Sequence, residues 1–196
     1  MAEITTEKIK ELRDQTQVSV MKCQEALTEA DGDLDEAVKI LEKKSGAMAA
    51  KKSSRDLGAG VVSAYVHSGN TVAALVELQC ETDFVARNEE FQKLAYEIAM
   101  HVAAMKPRFV SRGEVPEVEL EEVKKEVSEE FADKPEEVRE NAIAGKLDKH
   151  FSGFVLLEQP YIKDDEKTIE DLLHEATQTF GENTAIGKIS RIETLS

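Results

Sequence analysis

Between Thr82 and Asn88 the chain reads TDFVARN, which sets an acid, Asp83, and a large aromatic, Phe84, between Thr82 and Val85. No nucleophile or second acid at catalytic spacing accompanies them, so the chemistry open to this stretch is recognition by an exposed probe. Thr71 to Cys80 (TVAALVELQC), just before it, is apolar and β-branched enough for a strand. Just after it, Phe91, Leu94, Ala95, Ile98 and Val102 fall at i, i+3, i+4, i+7 and i+11, a helical stripe that Asn88 is placed to cap. Phe84 therefore lies at a strand-to-helix junction, outside both apolar patterns. Two roles remain open for it on these grounds: a probe for a partner, or a loop side chain folded back as a lid on the sheet.

Other chemistry is thin. His67, His101, His150 and His174 are scattered without an HExxH pair, and neither Ser nor Cys sits in a nucleophile elbow. Gly58-Ala59-Gly60 begins like a GxGxxG fingerprint but leads into a strand and lacks the third glycine, and there is no GxxxxGK[ST] loop. Cys23 and Cys80 lie far apart without CxxC spacing, which suggests neither zinc nor a disulfide framework and fits a reducing cytosol. The expectation is a protein that is not an enzyme and uses no cofactor. His101 reads as structural, and His67, beside a turn, as a solvated histidine or a contact residue.

The 196 residues, 41% of them hydrophobic, suffice for one moderate domain and a small satellite. A net charge of -15 disfavours direct binding to nucleic acid, which needs clustered Lys and Arg. The basic residues that do cluster, Lys43, Lys44, Lys51, Lys52 and Arg55, read as a solvated stretch or a binding patch. No apolar run approaches the roughly 18 residues of a membrane span, and MAEITTEK lacks the features of a signal peptide. A cytoplasmic protein whose mature chain begins at or next to Met1 is expected.

Three short helices account for the first 45 or so residues, marked by Ile9 and Leu12, then Val20, Cys23, Leu27 and Ala30, then Leu34, Ala37, Val38 and Leu41. Ser19 is placed to cap the second; Asp31-Gly32 breaks the chain, and Asp33 with Glu36 forms an acidic capping box for the third. Residues 1–46 thus form a small three-helix bundle, and 47–57 a linker or a frayed helical extension. Residues 58–196 form an α+β core. It opens with a hairpin turning at Ser68-Gly69-Asn70, followed by the TDFVARN junction and a long helix stopped near Pro107. A helical arm follows, with Leu120, Val123, Val127 and Phe131 on one helix and Pro135 opening the next. Pro160 argues against a central strand in FVLLEQPYI; Thr168 with Asp171 opens a last helix ended by Gly181, and Thr184 to Ile192 returns as a strand. The order predicts an α+β fold with an antiparallel sheet covered largely on one face.

TDFVARN resembles the signature of the elongation factor Ts family. So do KELRDQT with MKCQEAL near the start, AMHVAAMKPRFV at Ala99 to Val110, LLEQPYIKD at Leu156 to Asp164, and GEN at Gly181 to Asn183. The resemblance implies a guanine-nucleotide exchange factor that binds elongation factor Tu, with Thr82, Asp83, Phe84 and Val85 disturbing the partner's Mg²⁺ and phosphate site. It further implies a ubiquitin-associated-like bundle docking through Leu12, Arg13, Val20 and Met21, although Leu12 also fits a core position. Tyr65, His67 and Gly69 fill the family's Tyr-x-His-x-Gly pattern, which implies a partner contact for His67. Gln17, Val20, Gly187 and Lys188 depart from residues frequent in the family. One hairpin and one TDFV junction match the short form, and the unpaired sheet edges of a single core argue for a homodimer and a two-to-two complex. The rival reading is an adaptor without exchange activity that carries a ubiquitin-associated-like module.

Overall fold

The computed structural model describes residues 4–16, 18–131 and 136–194. Gln17 and Pro135, both singled out above, and the first three residues lie outside the described ones. The architecture is α+β, with N-terminal helices followed by an antiparallel sheet and its helices.

The first helices are α1 (Thr6–Thr16), α2 (Val20–Glu29) and α3 (Leu34–Lys52). Their apolar stripes meet in one cluster: Leu12, Val18, Cys23, Ala26, Leu27, Ala37 and Leu41 are all buried in it. The break after α2 takes Asp31 to φ 48° and Gly32 to φ 82°, and the Gly32 N–H donates to the Leu27 carbonyl at 2.8 Å. That left-handed pair closes the helix end, which is why Asp-Gly stands there. Asp33 caps α3 as expected, its Oδ1 accepting from the Glu36 N–H at 2.9 Å. Ser19 holds the N-cap position of α2, but its hydroxyl makes no capping bond. Beyond Gly46 the helical extension is what the structure adopts, since α3 runs on to Lys52.

A three-stranded sheet follows in the order β1 (Ala59–Val66), β2 (Val72–Cys80) and, from the C-terminus, β5 (Ala185–Glu193). The β1–β2 turn carries Gly69 at φ 100° and Asn70 at φ 57°, and the His67 N–H donates to the Val72 carbonyl at 2.9 Å. Gly60 is needed for close approach, because a Cβ there would stand 2.6 Å from the Leu78 carbonyl oxygen. After β2 come a single turn, α4 (Asp83–Ala86), and the long α5 (Glu89–Met105), whose first turn is capped by Asn88 Oδ1 accepting from the Glu90 N–H at 2.9 Å. The arm consists of α6 (Glu117–Glu130) and α7 (Glu136–Phe151), closed by Val115, Val123, Val127, Phe151 and Val155. The small antiparallel pair β3 (Pro160–Tyr161) and β4 (Asp164–Thr168) leads into α8 (Ile169–Phe180). Nothing in DDEKT signals a strand, so β4 escapes the apolar pattern.

The chain groups into two compact units. One gathers Met1–Val61, Leu78–Lys93 and Asp171–Ala185; the other gathers Val62–Glu77, Leu94–Glu170 and Ile186–Ser196. In the first, Phe91 packs edge-to-face on Phe180, with ring centroids 5.4 Å apart. In the second, Ala95, Ile98, Ala99 and Val102 of α5 are buried together with His101. His101 Nε2 lies 3.0 Å from Gln159 Oε1, and its Nδ1 accepts from the Ile162 N–H at 3.3 Å. Since Nδ1 accepts, Nε2 carries the proton and donates to Gln159. Gln159 in turn donates to the carbonyls of Gly153 and Met105. Burial holds the His101 pKa below its ordinary value, against a smaller opposing pull from Gln159. The structural role expected for His101 fits this geometry.

Candidate partner-binding site

The probe residues stand on α4. Thr82 is its N-cap in extended conformation, and the turn closes through Ala86 N–H to Thr82 O at 3.2 Å and Arg87 N–H to Asp83 O at 3.1 Å. Four residues allow one turn of helix, too short to stand alone. On it, Phe84 is 86% exposed. The lid alternative is therefore not what the free chain adopts. Asp83 is also exposed and pairs with Arg87, 3.0 Å away at i+4 on a solvated surface. Val85 is half-buried and Ala86 buried, so this turn is seated on one side and bare on the other.

Its seat is polar. A Glu182 carboxylate oxygen accepts from the N–H groups of Glu81 (3.1 Å) and Thr82 (2.9 Å), while the other oxygen takes the Thr82 hydroxyl at 2.6 Å. In return the Glu81 carboxylate accepts from the Asn183 N–H at 2.6 Å and from Arg55 at 3.3 Å. The Asn183 N–H is the main reason the Glu81 carboxyl sits below its ordinary pKa, and Arg55 adds to the effect. Asn183 Nδ2 also donates to the Arg55 carbonyl at 3.1 Å, and Lys52 Nζ donates to the Gly181 carbonyl. Composition offered no signal for this lattice beyond the letters GEN.

The basic cluster divides. Lys44 pairs with Glu29, Lys52 holds Gly181 and Arg55 holds Glu81, so three of its five members are engaged in intramolecular contacts. Lys44 and Lys51 also line a cleft of about 330 Å³ with Lys22, Glu25, Leu41 and Met48. Among the described residues no group of His, Cys, Asp and Glu side chains is placed to hold a metal.

At the bundle, Arg13, Val20 and Met21 are exposed, Met21 at 72%. Leu12 is different. It is 0% exposed in the bundle core, so its expected surface contact is corrected: the side chain packs with those of α2 and α3 and offers nothing to a partner. In the second unit His67 is exposed beside the hairpin turn, its Nδ1 3.1 Å from the Tyr65 hydroxyl, and Tyr65 packs edge-on to Tyr96. Among the outward side chains of the same unit's strands, Val62, Ala64, Val66, Leu75 and Ile192 are apolar and exposed, Ile192 at 69%, while Lys188 and Ser190 share the face of Ile192 on β5.

The family model for "Elongation factor TS" matches residues 1–194. The chain belongs to the elongation factor Ts family. It is 48% identical over 187 residues to elongation factor Ts of Thermosipho melanesiensis, covering 94% of this chain and 95% of that one. To elongation factor Ts of Herpetosiphon aurantiacus it is 45% identical over 192 residues, 97% of each chain. The match to that of Anaeromyxobacter dehalogenans is 47% over 195 residues, covering 97% of this chain and 88% of the relative. Membership of the elongation factor Ts family places the chain among the factors of translation elongation.

Proposed function

We propose that this chain is a cytoplasmic guanine-nucleotide exchange factor that binds elongation factor Tu and promotes GDP release by inserting the Thr82–Val85 turn. The observation that carries the reading is Phe84, a bare aromatic on a single turn hydrogen-bonded at its base, in a member of the elongation factor Ts family. An unpartnered ring held in water favours any partner pocket that encloses it. Enclosing it yields roughly 1.5 to 3 kcal/mol, and each ~1.4 kcal/mol is tenfold in an equilibrium. Asp83 adds a charge beside the ring, where it disturbs the ligands of the nucleotide's Mg²⁺ and the groups around its phosphates. No covalent bond is made, so the factor acts by binding alone. By linkage, whatever it takes from GDP affinity GDP takes from its own.

The bundle supplies docking through Arg13, Val20 and Met21, and His67 supplies a further contact. The bare sheet face of Val62, Val66, Leu75 and Ile192 supports a homodimer and hence a two-to-two complex, since a flat apolar patch of this kind needs a cover. Stopped-flow release of a fluorescent GDP analogue from elongation factor Tu tests the reading. Release must accelerate and saturate with the concentration of this chain, and a rate unchanged by its addition removes the proposal.

A further inference from the structure

The carboxylate of Glu182 holds three donors from Glu81 and Thr82, one residue before the Asp83–Phe84 pair, across about a hundred residues of sequence. Three features make this more than a loop contact. Thr82 is the N-cap of α4, where a threonine hydroxyl normally accepts from the helix's own N–H groups; here it makes no such bond and donates to Glu182 instead. A four-residue helix that gives up its side-chain cap needs its orientation fixed from outside. The second feature is reciprocity: Glu81 returns a bond to the Asn183 N–H, so two carboxylates cross-link the two loops through backbone donors on both sides. The third is the seat of Glu182 itself. Gly181 ends α8 at φ 75°, a conformation that favours glycine, and its carbonyl accepts from Lys52 at the end of α3.

We infer that Glu182 is a positioning residue for exchange: it fixes the direction in which α4 presents Phe84, and its loop ties that direction to the end of α3 through Lys52. The inference rests on the exchange reading above. A loosened turn still carries its ring, but the ring samples many directions and pays ordering entropy on insertion. Loss of the clamp therefore lowers the rate of GDP release from the saturated complex and leaves docking almost unchanged.

The experiment uses the full chain and stopped-flow GDP release over a range of factor concentrations, with circular dichroism of every variant. Glu182→Ala is expected to slow release at saturation about tenfold, with the half-saturating concentration moved less than about threefold. Glu182→Gln, which keeps an oxygen for the backbone donors, recovers most of the rate. Thr82→Val removes one hydrogen bond without touching the fold and slows release about threefold. The deciding measurement is the cycle with Phe84→Ala. If Glu182 acts through the ring, Glu182→Ala has no further effect once the ring is gone, whereas a merely structural role slows both backgrounds equally. Equal slowing, or a Glu182→Ala rate within twofold of the parent, overturns the inference. If Glu182→Ala fails to fold, Thr82→Val in the same cycle with Phe84→Ala decides, and an unchanged rate there, or equal slowing in both backgrounds, is equally fatal. Phe84→Ala separates the two levels: slow release there with normal release in Glu182→Ala removes the clamp alone, whereas normal release in Phe84→Ala removes the probe reading as well.

Discussion

Two regions leave apolar side chains in water, and they do it in opposite ways. On α4 a single ring, Phe84, stands on one turn of helix whose base is fixed by carboxylates and backbone donors. On the sheet of the second unit Val62, Val66, Leu75 and Ile192 spread over three strands with no such seat. A lone ring on a fixed arm gains by entering a pocket and can leave it again, which suits an exchange factor that must turn over. A patch spread over three strands gains by meeting another apolar patch, which suits a lasting contact. Exposure alone does not separate these uses; the support beneath the exposed groups does.

The largest expected effect falls on the patch. In a two-fold dimer each substitution occurs twice, so Val62→Glu places two carboxylates in one interface and removes two buried valines. Dimer dissociation should rise at least ~100-fold, since two valines at roughly 1.5 kcal/mol each are lost before the buried charge is counted. Light scattering over a dilution series measures it. A dimer unchanged in Val62→Glu moves the interface off the sheet, and a parent chain that is monomeric at every concentration removes the dimer altogether.

The ring comes next. Phe84→Ala should slow GDP release from elongation factor Tu by about ten- to a hundredfold, the equivalent of 1.5 to 3 kcal/mol of lost burial. Its thermal midpoint should stay within a degree or two of the parent, because an exposed side chain contributes little to the fold. The same variant should dimerise normally. If it dissociates the dimer, the two regions are not separate and the comparison fails.

Much of this was readable in the sequence because periodicity reports burial. The stripes of α1 to α3, α5 and α8 appear in the helices as expected, and Asn88, Asp33 and Gly181 mark ends where backbone groups need partners. Phe84 stood out for the complementary reason: it fits neither stripe. What escaped was whatever is specified by contacts distant in sequence. The Glu81–Glu182 lattice joins residues about a hundred apart through charged letters that look like ordinary surface, and β4 is held by pairing with β3 rather than by any apolar alternation. Leu12 was legible as apolar, yet periodicity alone could not tell a docking leucine from a core leucine; enclosure by α2 and α3 does.

A smaller effect is expected at the bundle, where Met21 is exposed like Phe84 but lies on a regular helix, within the docking face proposed above. Met21→Ala should weaken binding to elongation factor Tu about fivefold, roughly 1 kcal/mol of partial burial, and leave the saturated release rate alone. Calorimetric titration reads the first and stopped flow the second. A drop in the saturated rate with unchanged affinity would make Met21 a second probe and blur the division between docking and insertion.

The smallest effect tests the second unit from inside, through its buried polar pair rather than its bare face. His101 is neutral in the fold, with Nε2–H donating to Gln159 and Nδ1 accepting from the Ile162 N–H, so a second proton has no acceptor facing it. Tyr161, its ring 6.1 Å from that of His101, is bonded to Glu97 one turn earlier on α5 at 3.0 Å, and Lys163 also binds Glu97. Burial lowers the His101 pKa below the ordinary 6.5. The unfolded chain therefore binds this proton at a higher pH than the folded chain does. The stabilisation is complete above about pH 6.5 and is lost progressively as the pH falls below it toward the folded-state pKa. Thermal melts from pH 7.5 down to 5 should fall more steeply in the parent than in His101→Gln, which keeps a hydrogen-bonding side chain but cannot titrate. Because His101 lies far from the surface, the release rate per folded molecule at saturation should not follow that loss, and a release rate that tracked His101 titration would tie the buried pair to exchange rather than to the fold.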